Sequence, residues 1–243
     1  MSKVSLRFHD VVDSTMEIAS DLALRGVNEG TVIVAKTQRR GRGRSGSAWI
    51  SPEGGAWFSL ILKPPIQPKE SHKIVLLAGL CVCNVLRDLL ELNTMLRWPN
   101  DILLERRKLA GVLGEGLQTK DAFYAIVGVG VNTNFSIDAF PEWLKEGAIT
   151  AMDFLKREID NESLIETIAQ RIVEKSSSLG ENYPQILEEW TRFSDTIGRI
   201  IEIDGTRTGR AIRLDSEGFL VITNSKGNEQ RIVSGKIRYL DEV

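Results

Sequence analysis

The sequence has little cysteine and little histidine, with two residues of each among 243. Cys81 and Cys83 lie inside an apolar segment, and a C-x-C pair with no third or fourth ligand nearby makes a poor zinc site. His9 and His72 are too few and too widely separated to form a histidine metal site. We therefore expect two buried thiols in a core helix, and the sequence identifies no metal ligands.

The chain also lacks a long hydrophobic run and an N-terminal signal. Its longest uninterrupted apolar runs, residues 74–83 and 122–131, fall well short of the ~20 residues that span a bilayer. The first residues, MSKVSLRFHDVVDS, contain no apolar core of the length found in signal peptides. We therefore expect a cytoplasmic protein with no membrane partner.

A third absence is an excess of charge of one sign. The 31 Lys and Arg residues stand against 33 Asp and Glu residues, for a formal net charge of −2. Broad binding to nucleic acid is typical of a more basic chain. The arginines at positions 39, 40, 42 and 44, within TQRRGRGRSGSAW (residues 37–49), are therefore a local concentration that needs a local explanation.

Hydrophobic periodicity predicts a mixed β-sheet with helices, an α+β arrangement, over residues 1–192. Ser14 and Glu17 fit a capping box at the start of the first helix. Strands are expected at 4–9, 31–38, 54–63, 122–134 and in three pieces over 94–118, and helices at 14–26, 70–92, 161–178 and 182–192.

The character of the sequence changes from Ile197 onward. About five short strands are separated by the turn signals D-G, S-E-G and K-G. No helix-length periodic segment occurs in this part of the chain. The pattern predicts a separate β-barrel or sandwich of about fifty residues, so that the chain divides into domains at 1–192 and 193–243.

Gly41, Gly43 and Gly46 spell G-x-G-x-x-G, the letters of a dinucleotide-binding turn. That fingerprint needs a strand before the glycines and a helix directly after them. Here Pro52 and then a strand follow, and no G-x-x-x-x-G-K-[ST] phosphate loop occurs anywhere. Two interpretations are left: a loop whose arginines close over an anion, or a flexible surface loop with solvated arginines. Trp49 beside it would either stack on a base or fill the core.

A second polar segment, RWPNDILLERRKLAGVLGEG (residues 97–116), places Asn100 and Asp101 in a turn and Lys108 on a hairpin. A lysine beside small residues can meet a carboxylate or phosphate that approaches the backbone closely. The competing interpretation is a hairpin tip whose charged side chains face water. The residue pattern alone leaves both interpretations open.

Four motifs in order, GRGRSGSAW, RWPND, RKLAGVLGE and GVGVNTN, resemble those of biotin–protein ligase, also called biotin–[acetyl-CoA-carboxylase] ligase. The leading DSTM and Gln38 fit the same family. Each motif is weak alone, but four in order across residues 13–132 are specific. The resemblance covers nearly the whole chain and implies a mixed-sheet catalytic domain of the biotin/lipoate ligase type, followed by a small SH3-like β-barrel.

The resemblance implies an enzyme that uses ATP and Mg²⁺ to convert biotin to biotinyl-5′-AMP and pyrophosphate. The enzyme then transfers biotin to a lysine of a biotin carboxyl carrier protein, without a covalent enzyme intermediate. Because the biotin carboxylate and the α-phosphate of ATP are both anions, the reaction requires positioning and charge neutralisation.

The resemblance also assigns site residues, position by position. Lys108 would bridge the biotin carboxylate and the α-phosphate, Arg44 would hold the loop on the phosphate side, and Asp101 would orient or deprotonate the acceptor lysine. Ser14 has a competing role as a helix cap. The residues implied around biotin are Ser14, Thr15, Gln38, Arg42, Arg44, Lys108 and Gly111. The residues implied around ATP and the adenylate are Arg44, Trp49, Asn100, Lys108 and Asn132.

Two positions depart from the family's pattern. Ser47 stands where the loop usually has a third arginine, and Arg97 stands where a lysine usually precedes W-P-N-D. Because Ser47 removes a cation, we expect the free loop to hold the adenylate less tightly than in relatives with the full motif. Arg97 keeps its charge but changes the donor geometry.

Two other functions stay open on the sequence alone. A lipoate–protein ligase or lipoyl/octanoyl transferase shares the catalytic fold but lacks the arginine-rich loop followed by W-P-N-D. A non-catalytic nucleotide- or nucleic-acid-binding module is disfavoured by the near-neutral net charge. Some family members begin with a winged helix that represses biotin synthesis; here the first strand is predicted within ten residues of the start, so we expect no specific DNA binding. Exposed strands can pair between copies, which would permit a homodimer.

Overall fold

The structure of the chain, a computed structural model, describes residues 4–120 and 122–241. Residues 1–3, Asp121 and residues 242–243 lie outside the described residues, and with them the outer ends of both predicted domains. In the described part of the chain, no helix is both long and apolar enough to cross a membrane.

A seven-stranded mixed sheet forms the centre of the N-terminal part. Its strands are β1 (Ser5–Val12), β2 (Thr31–Gln38), β3 (Ala56–Leu62), β4 (Met95–Arg97), β5 (Asp101–Leu104), β6 (Arg107–Gln118) and β7 (Phe123–Val131). They lie in the order β1-β2-β3-β7-β6-β5-β4. The β1–β2 pair is parallel and the other neighbours are antiparallel. Central strand β3 is buried at every position, as expected for a strand covered on both faces.

Helices cover both faces of this sheet. They are α1 (Thr15–Leu24), α2 (His72–Leu90), α3 (Glu142–Lys145), α4 (Ala151–Leu155), α5 (Asn161–Ser176) and α6 (Leu179–Arg192). Helix α2 is apolar around most of its circumference because it packs between the sheet and helices α5 and α6. Helix α1 covers the opposite face, where Met16 and Ala19 pack against Ile33 and Ile61.

The C-terminal part is a five-stranded antiparallel sheet. Its strands are β8 (Ile200–Ile203), β9 (Arg207–Leu214), β10 (Leu220–Thr223), β11 (Glu229–Ile232) and β12 (Ile237–Tyr239). The order is β11-β10-β9-β8-β12. Within residues 4–120 and 122–241, the outer strands β11 and β12 form no ladder with each other, so the sheet is not closed by hydrogen bonds. The predicted α+β class with a small C-terminal β-unit is confirmed, and the domain boundary at 192–193 stays a prediction.

One turn, residues 215–219, joins the C-terminal sheet to the N-terminal part. The indole Nε1 of Trp98 donates to Gly218 O at 3.1 Å. The carbonyl of Glu217 accepts from the Tyr183 hydroxyl at 2.9 Å and lies 2.9 Å from His72 Nε2. These contacts hold the C-terminal sheet beside the W-P-N-D turn, which begins at Trp98.

The predicted strands and helices all occur, with ends shifted by a few residues. Helices α3 and α4 are missing from the prediction because four and five residues are too short to show a helical period.

The capping box predicted at Ser14 is wrong. Ser14 has extended backbone angles at the N-cap position, but its side chain makes no cap hydrogen bond. The hydroxyl is buried, and the N–H of Thr15 instead donates to Gln38 Oε1 at 2.9 Å. The helix start is therefore stabilised across space from β2, which no local pattern reveals.

The predicted burial of both cysteines in a core helix is confirmed. Burial raises the pKa of the Cys81 thiol to about 12 and that of Cys83 to about 11. Because the thiolate is the reactive form, we expect neither cysteine to react with iodoacetamide in folded protein at mildly alkaline pH, and both to react in urea. Mass spectrometry measures the labelling; modification of the folded protein at the rate of the unfolded chain would contradict this expectation.

Candidate active site

One large cavity, of about 590 Å³, brings together the residues that the resemblance assigns to biotin, ATP and catalysis. It lies between the sheet, the arginine loop (residues 39–48) and the C-terminal sheet. Its lining includes Ser14, Thr15, Gln38, Arg42, Arg44, Trp49, Asn100, Asp101, Lys108, Gly111 and Asn132. These residues come from distant segments of the chain, so the sheet topology, and not local sequence, makes them neighbours.

The arginine loop folds into a small hairpin of its own. Trp49 N donates to Gly41 O at 2.8 Å, and Gly43 N donates to Ser47 O at 2.7 Å. Ser45 and Gly46 have positive φ angles of 53° and 75° at its tip, and glycine adopts such angles without strain. The hairpin gives the loop a defined path along the edge of the cavity.

Two arginines of the loop turn toward the site and two do not. Arg42 forms a salt bridge with Glu115 on β6 at 2.9 Å, and the guanidinium of Arg44 donates to Asn100 Oδ1 at 3.1 Å. Arg39 and Arg40 are exposed and pair with the carboxylate of Asp13 instead. The solvated interpretation thus fits Arg39 and Arg40 but not Arg44.

Arg44 is held in a partly desolvated position. Burial lowers the pKa of its guanidinium, and the nearby carboxylates of Asp101 and Asp204 oppose that shift. An arginine stays charged under such conditions, so the site keeps a cation whose water shell is incomplete. An incoming anion would restore the missing contacts.

Lys108 lies in the site and not at an exposed hairpin tip. Its Nζ is 2.6 Å from Asp101 Oδ1 and 5.0 Å from the centre of the Trp49 ring. The tip itself, residues 105–107, is exposed. The water-facing interpretation is therefore wrong for Lys108 and holds for the residues before it.

A pair of glycines makes room for the indole of Trp49. Gly111 on β6 pairs with Gly130 on β7. A Cβ atom at Gly111 would lie 3.0 Å from the indole, and one at Gly130 would lie 2.6 Å from it. The ring can therefore lie against the sheet only because both positions lack a side chain. The predicted place of Gly111 in the cavity wall has this steric cause.

The polar residues at one end of the cavity form a connected network. Thr15 Oγ1 donates to Gln38 Oε1 at 3.1 Å and lies 2.7 Å from Ser59 Oγ. Gln38 Nε2 donates to Ser51 Oγ at 2.8 Å. The network holds Gln38 in one orientation and leaves Ser14 outside it.

Among the buried polar atoms along the cavity that have no hydrogen-bond partner in the described residues, three belong to residues that the resemblance assigns to biotin or the adenylate. They are Ser14 Oγ, Trp49 Nε1 and Asn132 Oδ1. The other end of the Asn132 amide is occupied, since Nδ2 donates to Ile149 O at 3.1 Å. An unpaired buried polar atom is costly and rare, so these three atoms are candidates for contacts with a bound molecule.

Both polar atoms of the Asn100 side chain have hydrogen-bond partners. Its Oδ1 accepts from Arg44, and its Nδ2 donates to Val112 O at 2.8 Å. The residue therefore holds the arginine loop against β6 through the W-P-N-D turn. Its predicted contact with the adenylate would have to replace or accompany these bonds.

The structure adds residues that sequence reasoning missed. Gly130, Trp143, Asp204 and Lys236 also line the cavity. Trp143 on α3 is 74% exposed at the rim, which leaves a large aromatic surface open to a ligand. Gly130 lies in the noted G-V-G-V-N segment, but no local signal marks the other three.

Arg97 also borders the cavity. It is one of the two positions that depart from the family's sequence pattern. Its guanidinium carbon lies 4.6 Å from the centre of the Tyr239 ring on β12. A guanidinium stacks on an aromatic face in this way more readily than an ammonium does. Arg97 thus joins the start of the W-P-N-D turn to the C-terminal sheet.

The lining is more cationic than anionic. It contains Arg42, Arg44, Arg97, Lys108 and Lys236 against the two carboxylates of Asp101 and Asp204. In the described part of the chain, no group of three His, Cys, Asp or Glu side chains could hold a metal ion. The arrangement is suited to binding an anion and stabilising negative charge that develops on it.

The chain is similar to known proteins in sequence and in fold. A sequence model of the biotin/lipoate A/B protein ligase family matches residues 8–132. The bifunctional ligase/repressor BirA of Bacillus subtilis is 33% identical over 228 residues, which cover 91% of this chain and 70% of that protein. The biotin–[acetyl-CoA-carboxylase] ligase of Mycobacterium tuberculosis is 28% identical over 229 residues, which cover 88% and 82%.

The fold is also similar to that of solved biotin protein ligases. The structure of the biotin protein ligase from Aquifex aeolicus in complex with biotin and ATP matches with a TM-score of 0.83 and 30% identity, over 97% of this chain and 98% of that one. The family match includes the arginine loop, the W-P-N-D turn and Lys108, which the cavity brings together. The chain therefore belongs to the biotin/lipoate A/B protein ligase family.

Proposed function

We propose that this ligase forms biotinyl-5′-AMP from biotin and ATP and then transfers biotin to a lysine of a biotin carboxyl carrier protein. The observation that carries the proposal is that Ser14, Arg44 and Lys108, from three distant segments, line one cavity. Relatives and solved structures named as biotin protein ligases support this activity.

In the first step, the biotin carboxylate attacks the α-phosphorus of ATP and pyrophosphate leaves. Both reactants are anions, so cations at their junction lower the barrier. Arg44 donates a hydrogen bond to the neutral amide of Asn100, so it can bind an anion without losing an ion pair. Lys108 is paired with Asp101, so its engagement with substrate is an exchange of one anionic partner for another. Partial burial strengthens both interactions relative to water.

The two ends of the cavity suit the two ends of the adenylate. The ureido ring of biotin has both donors and acceptors, which Ser14, Thr15 and Gln38 can match. Adenine has a flat face and a hydrogen-bonding edge, which Trp49 and the free Oδ1 of Asn132 can match. Arg42 and Gly111 would border biotin between these ends.

In the second step, the acceptor lysine attacks the acyl carbon of the adenylate and AMP leaves. A lysine has an unperturbed pKa of ~10.4, so it must lose a proton to become a nucleophile. Asp101 is a suitable base once Lys108 has moved to the substrate, because its carboxylate then loses its ion pair with Lys108. The first step would in this way prepare the second.

Mg²⁺ would enter with the nucleotide. This ion usually binds through one or two carboxylates together with substrate phosphates and water. The cavity has two carboxylates, Asp101 and Asp204, which suits an ion carried mainly by ATP. The carrier protein, the cytoplasmic location, the absence of specific DNA binding and a homodimer stay predictions.

One assay tests the proposed function against its alternatives. The full chain is incubated with ATP and Mg²⁺ plus either biotin or lipoate, and pyrophosphate is measured. We expect release that depends on biotin and not on lipoate. Release with lipoate alone would identify a lipoate ligase, and nucleotide binding without release under either condition would identify a non-catalytic module.

Arg44→Ala and Lys108→Ala should each lower biotin-dependent ATP–pyrophosphate exchange by ~10²–10³-fold, since each removes a charge-assisted contact to the transition state. Arg39→Ala is the matched control: it belongs to the same loop, is exposed and lies 3.9 Å from its nearest carboxylate. We expect the control to retain wild-type exchange. Retention of full exchange by Lys108→Ala would refute the role given to that residue.

Asp101→Asn should separate the two steps. The variant keeps the shape of the side chain but loses the base, so transfer from preformed biotinyl-5′-AMP to the carrier should fall by ~10²-fold or more. Adenylate formation should be retained, because Lys108 and Arg44 are intact. Single-turnover measurements of each step give the two rates. Transfer at the wild-type rate would remove Asp101 from the mechanism.

A further inference from the structure

Among the five cations that border the cavity, Lys236 differs from the others. Arg42 and Lys108 are in salt bridges, Arg44 donates to an amide, and Arg97 stacks on Tyr239. Of the residues that the structure describes, none forms an ion pair, a hydrogen bond or a ring contact with the Lys236 side chain. Lys236 is an exposed residue and lines the cavity, so a ligand in the cavity can reach its ammonium.

The backbone of Lys236 is held in place by the C-terminal sheet. Lys236 directly precedes β12, whose first residue pairs with the end of β8. The N–H of Lys236 donates to Asp204 Oδ1 at 2.8 Å. A Cβ at the preceding Gly235 would lie 2.9 Å from Asp204 Oδ2, and the φ of this glycine is 153°. The close approach of this segment to Asp204 therefore depends on a glycine.

The same carboxylate connects Lys236 to the arginine loop. The N–H of Lys236, together with Arg207 and Arg44, lowers the pKa of Asp204. Asp204 and Lys236 come from the C-terminal sheet, whereas Arg44 comes from the loop between β2 and β3. The two parts of the chain therefore meet at this side of the cavity, close to Arg44.

The arginine loop has one cation fewer, near its C-terminal end, than the family's sequence pattern. Ser47 occupies the place where the sequence pattern usually has an arginine, and its Oγ donates to Arg44 O at 2.8 Å. Ser47 closes the loop on itself and brings no charge to the cavity. A lysine on a flexible four-carbon stem can reach a phosphate from the opposite wall.

We propose that Lys236 binds the terminal phosphates of ATP and the leaving pyrophosphate, supplying from the C-terminal sheet the cation that Ser47 does not supply. The proposal rests on the function proposed above. Lys236 makes no bond to biotin and forms no covalent intermediate. It neutralises charge on the leaving group, while Arg44 and Lys108 act at the α-phosphate.

The direct test is the affinity of the full chain for inorganic pyrophosphate in the presence of Mg²⁺, measured by titration calorimetry. Lys236→Ala should bind it about tenfold more weakly than wild type, as expected for one lost charge-assisted contact. Lys236→Arg should keep most of the affinity. Lys226→Ala is the matched control, because Lys226 is an exposed lysine in a turn of the same sheet and does not border the cavity.

A second variant tests the link to the loop. Adding Ser47→Arg to Lys236→Ala should restore pyrophosphate affinity, because the missing cation returns from the other wall. In steady-state assays, Lys236→Ala should raise the KM for ATP and leave the KM for biotin unchanged. A merely structural role would change both constants and would not respond to Ser47→Arg.

Unchanged pyrophosphate affinity in Lys236→Ala would overturn the proposal, as would a loss confined to transfer onto the carrier protein. The outcome is separate from that of the ligase assay. If wild type released no pyrophosphate with biotin, the proposed function would fail, and the calorimetric comparison would still decide whether Lys236 binds phosphate.

Discussion

The site depends on keeping two cations, Arg44 and Lys108, partly out of water before any substrate arrives. A charge in such a place is costly unless it has partners. Asn100 supplies a neutral acceptor to Arg44, and Asp101 supplies a carboxylate to Lys108. Both partners come from the W-P-N-D turn, so this single turn holds the arginine loop and the hairpin lysine at the same cavity.

The rest of the fold supports that turn. The C-terminal sheet is attached to it through Trp98, whose indole donates to Gly218, and through Arg97, which stacks on Tyr239. The seven-stranded sheet has no side chains at Gly111 and Gly130, and this leaves space for the Trp49 ring. The C-terminal sheet also borders the cavity through Asp204 and Lys236. The C-terminal sheet therefore forms part of the wall of the site.

Much of the fold could be predicted because its signals are local. The strand at residues 31–38 is β-branched, and α2 is long and apolar, so the sequence identifies both. The capping box predicted at Ser14 does not form, and the first N–H of the helix bonds to Gln38 of β2, a partner that no local pattern reveals. Trp143, Asp204 and Lys236 could not be predicted as site residues, since their place depends on how a short helix and a separate sheet pack.

By itself, the sequence determined the order and types of the elements, the buried cysteines and the four motifs that carry the family resemblance. These depend on residue type and spacing within short segments, which secondary structure follows closely. Only the tertiary structure decided which polar groups have partners. Lys108 had two open interpretations in the sequence, and the pairing of β5 with β6, which places it 2.6 Å from Asp101, selected one. Ser14 Oγ, Trp49 Nε1 and Asn132 Oδ1 are left unpaired by packing between distant segments, and burial of that kind has no signature in a linear pattern.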